Sequence, residues 1–519
     1  MLPEFRSEPF TDFSRPENET AFRAALDNVK ATLGKTYPLV IDGKQVAVSR
    51  TFPSINPSRP AEVVGQFASG TADHADQAVE AAWKAFQTWQ YVPVQERAGY
   101  LLRAAGEMRR RKHQFSAVMV LETGKSWMEA DADTAESIDF LEYYARQALR
   151  LFDQSDMLTP YPPEDLALYN TPLGVGAIIP PWNFPNAIPM GLVAAAIVAG
   201  NTVVFKPAEQ SPWMGWWIAD LLWSLGLPKG VLNFLTGPGE VVGARMVTHP
   251  KTRFIAFTGS RDVGLWIYEN AAKMQPGQKW LKRSILEMGG KDAVLVDETA
   301  NLEEAANGIV QSAFGYQGQK CSAGSRAVIV DSVYDRVTNR VVDLAKHLTI
   351  GAPDESKNHY MGPVIDQDAM KRIMDYVEVG TQEGKLLLGG QPLQTPGNGY
   401  FIPPTIFGDV PWDARIAQEE IFGPVLSIVR AHDFDDAIRI ANSTEYGLTG
   451  ALFSNERDRL ERARREFQVG NLYLNRKCTG ALVGIHPFGG FNMSGTDSKT
   501  GGPDYLLLYT QAKSVAERL

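Results

Sequence analysis

Through residues 18–34, and again through 73–150, apolar positions recur at the spacing of amphipathic helices, in AVEAAWKAFQTW, ERAGYLLRAAGEMRRRKHQFSAVMVLETG and ESIDFLEYYARQAL. From residue 173 the rhythm changes to short apolar runs alternating with helical ones: GVGAIIP, a helix to 199, TVVFKP, a tryptophan-rich helix, VLNFLTG, a short helix and FIAFTGS. Such alternation predicts parallel strands joined by crossover helices. A second alternating block is expected from SILEMGGKDAVLVD through SRAVIV to LSIVR, ALFS and GNLYLN. The polar, proline-rich stretch 153–172 interrupts the pattern before the first strands. The C-terminal YLLLYTQAKSVAERL reads as one more strand with no partner nearby in sequence. The most apolar run, IPMGLVAAAIVAG at 188–200, is too short to cross a bilayer and is closed by Asn201, Thr202 and Lys206, so a buried helix is expected. No internal repeat or low-complexity tract is evident.

At 519 residues the chain is long enough for two or three α/β domains with a site between them. The net charge of −9 argues against a nucleic-acid partner, and RRRK at 109–112, the one basic run, reads as the solvated face of a helix. Two cysteines form neither a disulfide framework nor a Cys-based zinc site, so no metal is expected and a reducing compartment, the cytoplasm, is the natural assignment. The start, MLPEFRSEPFTDFSRPENE, lacks an apolar core and reads as neither a secretory signal nor a transit peptide. A membrane association is not expected.

Cys321 stands in FGYQGQKCSAGSR. A lone cysteine is most often a small packing residue. This one lies in a polar, glycine-bearing segment after a helix-like run, where a thiol can react. A nucleophilic thiol needs a base or a field to form thiolate, and donors for the oxyanion it creates. Glu287 in LEMGGK and Asn183 in PWNFP are, singly, a strand-end carboxylate and a turn residue; their joint occurrence with the other segments changes the reading.

In order, PPWNFP at 180–185, KPAEQSP at 206–212, FTGSRDVG at 257–264, LEMGG at 286–290, GQKCSAGSR at 318–326, EEIFGPV at 419–425 and PFGGFNMSG at 487–495 resemble the aldehyde dehydrogenase superfamily, from about residue 38 to the end. The resemblance implies an α/β fold. It divides the chain into an N-terminal helical arm (1–37), a Rossmann-type NAD-binding domain (38–152 and 173–285), a catalytic domain (286–495) and a β oligomerisation flap (153–172 with 496–519). It implies Cys321 as the nucleophile, the Asn183 amide and the Cys321 N–H as oxyanion donors, and Glu287 as the base that hydrolyses the thioester. For the cofactor it implies Pro181, Trp182, Lys206, Glu209, Gly239, Gly259, Ser260, Val263, Glu420 and Phe422. The glycine-rich TGPGEVVG around Gly239 is by itself a weak signal, with packing its plainer role. Glu209 beside a 2′-phosphate would repel it, favouring NAD over NADP.

The stretch NRKCTGALVGIHPFGG at 475–490 departs from general members of the superfamily. With YQGQKCSAGSR, the N-terminal extension and Phe184, it resembles the group that oxidises L-glutamate γ-semialdehyde, the open form of 1-pyrroline-5-carboxylate, to glutamate in proline breakdown. That resemblance implies a carboxylate nest at Thr479, Gly480 and Ala481, a hydroxyl from Ser322, and Phe184 and Phe488 flanking the aliphatic chain. It also implies a homo-oligomer, dimer or hexamer, with proline dehydrogenase as a transient partner. Cys478, beside the loop, reads as packing, since nothing supplies it with a base. The alternatives are a hydrolytic aldehyde dehydrogenase for another semialdehyde or an apolar aldehyde, and an inactive binding protein that kept the fold.

Overall fold

The computed structural model describes residues 2–152 and 158–519. The first alternating block builds a seven-stranded sheet in the order Arg283–Glu287, Thr252–Thr258, Val175–Ile179, Thr202–Phe205, Leu232–Phe234, Leu39–Ile41, Lys44–Val46. Its first five strands are parallel. Side chains along these strands alternate between two faces, as the pleat demands. Ile178, Val203, Phe205, Phe254 and Ala256 point into a core shared with helices Ala187–Val198 and Pro212–Ser224. Val175, Ala177, Val204, Ile255 and Phe257 point into a second core, shared with Ala72–Trp89 and Arg261–Ala272. The apolar run at 188–200 is thus a core helix, with every residue from Pro189 to Val198 buried. Among the described residues no helix is long and apolar enough to cross a membrane.

The second block forms another seven-stranded sheet, in the order Lys385–Leu388, Thr405–Gly408, Val425–Ala431, Arg326–Val330, Ala293–Val296, Thr449–Phe453, Asn471–Leu474. All pairs are parallel except the first. One expectation changes here. SILE does not open this sheet: Arg283–Glu287 pairs in parallel with Phe254–Thr258 and forms the edge of the first sheet. The boundary expected at 285/286 therefore falls inside a strand, and the chain crosses between sheets over 288–292.

The long helical stretch is four helices, Ala72–Trp89, Val94–Arg110, Lys112–Thr123 and Trp127–Leu151. They break where Pro93 precedes the second, at Arg111, and at Gly124, which ends the third in the left-handed conformation (φ 67). RRRK spans one of these breaks. Arg109 pairs with Glu8 and Glu142, Arg110 with Glu107 and Lys112 with Asp131, while Arg111 lies over the Trp217 ring. The N-terminal arm lies along the last helix through Glu8 N to Asp139 and Thr11 N to Asp131, each 2.7 Å.

Glu164–Pro172 finds its partner at the far end of the chain. It runs antiparallel to Thr510–Arg518 in an isolated two-stranded ribbon. Residues 153–157 of the expected flap lie outside the described residues. Of its C-terminal part, 510–518 joins the ribbon, whereas Thr496 and Ser498 instead bond to Leu286 and Glu287, on the strand Arg283–Glu287.

Candidate active site

Asn183, Lys206, Gly259 and Glu287 all follow or end strands of the first sheet, at the carboxyl ends of neighbouring parallel strands. Cys321, Glu420 and Lys291 lie just before strands Arg326–Val330, Val425–Ala431 and Ala293–Val296 of the second sheet, at their amino ends. The site is therefore the seam between the two sheets, and the carboxyl ends of parallel strands are where α/β folds gather ligands.

The turn before Cys321 has three consecutive residues at positive φ: Tyr316 (48), Gln317 (57) and Gly318 (68). A left-handed non-glycine residue costs ~1–2 kcal/mol, so surrounding contacts must hold the turn. Tyr316 Oη donates to Thr123 O (3.3 Å), Gln317 Nε2 to Pro363 O (2.7 Å), and Gln319 Oε1 accepts from Ile365 N (2.9 Å). Gly318 is also forced by space, since a Cβ there would lie 2.3 Å from Gly423 O. The thiol is partly exposed. Burial of its surroundings, then the carboxylates of Asp292, Glu420 and Glu287, push its pKa upward. The expected field favouring thiolate is thus not supplied by the neighbouring side chains, which hold the thiol protonated.

Asn183 is buried and tied to the same turn, its Nδ2 donating to Gln319 O at 3.0 Å. Its own carbonyl accepts from Lys125 Nζ at 2.6 Å, and Lys125 is paired with Asp133 Oδ2 at 2.9 Å. Both members of the pair are fully buried. The ammonium also lies 4.0 Å from the Phe184 ring and 4.3 Å from that of Tyr316. Lys125 thereby joins the Asn183 loop, Phe184 and the thiol turn.

Glu287 Oε1 accepts from Ser498 Oγ at 2.8 Å. Burial pushes its pKa up to about 8, against the pull of Ser498 and Lys499. Glu420 Oε1 accepts from Gly290 N at 3.1 Å, and burial lifts it to about 7. The crossing glycines are dictated by these contacts: a Cβ on Gly289 would meet Glu420 Oε2 at 2.2 Å, and one on Gly290 would meet Cys321 O at 2.4 Å. Phe422 (φ 57) stands edge-to-face with Trp182, centroids 5.5 Å apart, with Pro181 half-buried beside it in sequence.

Lys206 is buried and donates to the half-buried Glu209 at 2.7 Å. Gly239 is exposed, and a Cβ there would lie 3.9 Å from Glu209 Oε1. Ser260 is the N-cap of Arg261–Ala272, with Val263, 47% exposed, in its first turn. Gly239 leaves the Glu209 side open, Ser260 and Val263 are exposed at a helix amino end, and these groups fit a dinucleotide at strand carboxyl ends and a helix amino end.

The loop at 476–481 abuts the thiol segment. Cys478 Sγ lies 3.4 Å from Ser322 O, and Thr449 Oγ1 donates to the same carbonyl at 3.4 Å. Thr479 O and Gly480 O accept from the Arg476 guanidinium at 2.7 and 3.1 Å. Gly480 sits at φ +83, beside half-buried Ala481. Phe488 exchanges backbone hydrogen bonds with Thr500, next to Gly489, which borders Glu287. Cys478 is fully buried and burial pushes it up to about 12, as suits a packing residue.

Several charged residues of this seam escape a reading of the sequence alone: Lys125, Glu129, Asp133, Glu136, Lys320 and Ser498's neighbour Lys499. Lys320 Nζ pairs with Glu129 at 2.8 Å, and burial lifts Glu136 to about 8. Glu129, Asp133 and Glu136 are spaced for one face of Trp127–Leu151, a signal present in the sequence.

A family model described as "Aldehyde dehydrogenase family" matches residues 45–515. The chain belongs to the aldehyde dehydrogenase family. A 1-pyrroline-5-carboxylate dehydrogenase of Geobacillus thermodenitrificans is 56% identical over 517 residues, covering 100% of both chains. The solved structure of 1-pyrroline-5-carboxylate dehydrogenase from Thermus with bound NAD superposes with a TM-score of 0.98 at 51% identity, again over 100% of both. A structure of proline utilization A from Bdellovibrio bacteriovorus matches at 47% identity and a TM-score of 0.97, covering 99% of this chain and 53% of that one. The fold of this aldehyde dehydrogenase is thus the expected one, a Rossmann-type α/β unit joined to a second α/β unit.

Proposed function

We propose that this chain is an NAD-dependent 1-pyrroline-5-carboxylate dehydrogenase, oxidising L-glutamate γ-semialdehyde to L-glutamate in the second step of proline degradation. The reading is carried by one observation: full-length identity of 56% to a relative of that name, on a chain that keeps Cys321, Asn183 and Glu287 at one seam. In this reading the Cys321 sulfur adds to the aldehyde carbon as its proton leaves to solvent, and the new oxyanion faces the Asn183 amide and the Cys321 N–H. Bound NAD would supply the hydride acceptor for this carbon. Lys206 and Glu209 would hold its adenosine ribose, Gly239, Gly259, Ser260 and Val263 its pyrophosphate, and Pro181, Trp182, Glu420 and Phe422 its nicotinamide end. Glu209 disfavours a 2′-phosphate, so NADP is the weaker cofactor. Glu287 then takes a proton from water, the resulting hydroxide attacks the thioester, and the Cys321 thiolate leaves.

The substrate's α-carboxylate is assigned to Thr479, Gly480, Ala481 and Ser322, with Phe184 and Phe488 along its methylenes. Arg476, by holding the Thr479 and Gly480 carbonyls, orients the peptide N–H groups of this loop. The first sheet is assigned to the cofactor and the second to the thiol. The ribbon of 164–172 with 510–518 is assigned to homo-oligomer contacts, since two strands alone are marginal and leave both edges open. Action in the cytoplasm follows from the sparse cysteines, and transient contact with a proline dehydrogenase is supported by the match to half of a proline utilization A chain. NADH formation with L-glutamate γ-semialdehyde, against propanal and succinic semialdehyde, tests the reading. Equal kcat/KM across the three aldehydes would refute it in favour of a general aldehyde dehydrogenase.

A further inference from the structure

Glu287 shows an asymmetry that its role as base does not explain. Its Oε1 is held by the Ser498 hydroxyl at 2.8 Å, while Oε2, also buried, makes no hydrogen bond among the described residues. The holding side is tightly built. A Cβ on Gly489 would lie 2.8 Å from Oε1 and 1.7 Å from Ser498 O, so glycine alone lets the two segments close on the carboxylate. Thr496 brackets the strand from the same segment: Leu286 N donates to Thr496 Oγ1, and Thr496 N donates to Leu286 O, both at 3.0 Å. Met288 N donates to Ser494 O at 2.8 Å.

We propose that Ser498 is a positioning residue for the base: its hydroxyl fixes Oε1, stabilises the ionised carboxylate and leaves Oε2 as the oxygen that takes the proton from water. The inference rests on the reading of Glu287 as the deacylating base. Ser498 keeps its own proton throughout; only water's proton moves, to Oε2. The charged and titratable groups that act on Glu287 or feel its charge are Lys499, Asp497, Cys321 and Tyr505. Lys499 lowers the carboxylate's pKa, yet its ammonium is engaged by the carbonyls of Gly470 and Gly489. The direct hydrogen bond to Oε1 is Ser498's, and it is the first of the influences drawing Glu287 down against its burial.

The test is the pH profile of steady-state turnover at saturating aldehyde and NAD, with the first-turnover burst recorded alongside. Ser498→Ala should move the acid limb upward by about one pH unit and lower kcat near neutral pH about tenfold. The burst should keep its amplitude and rate, because thiol addition precedes the step that needs the base. Ser498→Thr, which retains the hydroxyl, should return the limb to its wild-type position. A Ser498→Ala profile superimposing on wild type overturns the proposal, as does a Ser498→Thr limb displaced as far as that of alanine. Glu287→Gln separates the two readings. If it turns over without a burst phase, the base assignment itself fails; if it gives a burst while Ser498→Ala matches wild type, only the role of Ser498 falls.

Discussion

Replacing Lys125 with methionine probes the pair beneath the site. Methionine keeps the unbranched stem and removes the charge. Asp133 retains one hydrogen bond, from Ala187 N at 2.7 Å, and loses the one ion-pair partner it has among the described residues, 2.9 Å away. Breaking a buried pair by deleting one member costs ~3–5 kcal/mol, because the other charge is left uncompensated. Burial already pushes the Asp133 pKa up, while Lys125 draws it down, so removal of the lysine raises it further. A carboxyl whose folded pKa exceeds its unfolded value binds more protons in the native state, so its stability is kept at low pH and lost as pH climbs toward the folded value. The deficit of Lys125→Met should therefore be smaller at about pH 5 than at about pH 8. A chain of this size does not unfold in one step, so the assay is the shift in Tm at a fixed scan rate, on the order of 5–15 °C at the higher pH. The double variant Lys125→Met with Asp133→Leu should regain most of that loss, since an apolar replacement of the whole pair is often neutral. Both variants should keep reduced kcat, because Asn183 O has lost its donor. A Tm shift independent of pH, or a double variant no better than the single one, would refute the reasoning.

Cys321→Ala should abolish turnover and leave NAD affinity, read by fluorescence titration, within a few-fold of wild type; a tenth of wild-type turnover would remove the thiol from its role. Glu287→Gln should give a burst of NADH and then slow turnover in stopped flow, with acyl-enzyme visible by mass spectrometry. Because burial sets Glu287 at about 8, the deacylation-limited rate of the wild type should climb as pH rises through that value, the carboxylate being the active form; a flat profile from about pH 6 to 9 would contradict it. Gly480→Ala strains a residue at φ +83 and should lower kcat/KM for glutamate semialdehyde about tenfold while sparing propanal; equal loss for both would detach the loop from carboxylate recognition.

The alternation of apolar runs carried ten of the fourteen strands of the two sheets, because buried parallel strands are apolar by necessity, and it missed Leu39–Ile41, Lys44–Val46, Lys385–Leu388 and Thr405–Gly408. It could not say which sheet owns RSILE, since a strand's own residues do not name its neighbours and only pairing with Phe254–Thr258 decides. That Cys321, Asn183 and Glu287 come together was legible through their motifs. Lys125 and the acids of Trp127–Leu151 were not, because the amphipathic pattern assigns charged positions to solvent, while the structure buries Asp133 and Lys125, and half-buries Glu129, beside the thiol turn. Ser498 sat in a segment expected in the flap, and only the backbone pairing of 494–496 with 286–288 brings it to Glu287.

The ribbon also sets an order of events during synthesis. Its first strand, Glu164–Pro172, leaves the ribosome long before its partner, Thr510–Arg518, exists. At ~5–20 residues per second that edge waits on the order of tens of seconds with its amides unpaired. The closing strand is held at its root by Arg283, whose guanidinium donates to Leu508 O and Thr510 O at 2.6 and 2.9 Å. A nascent chain stalled or clipped before residue 510 would therefore carry both sheets and the site residues while exposing a template for strand addition, and its fate would be set by chaperone capture rather than by the strength of its cores.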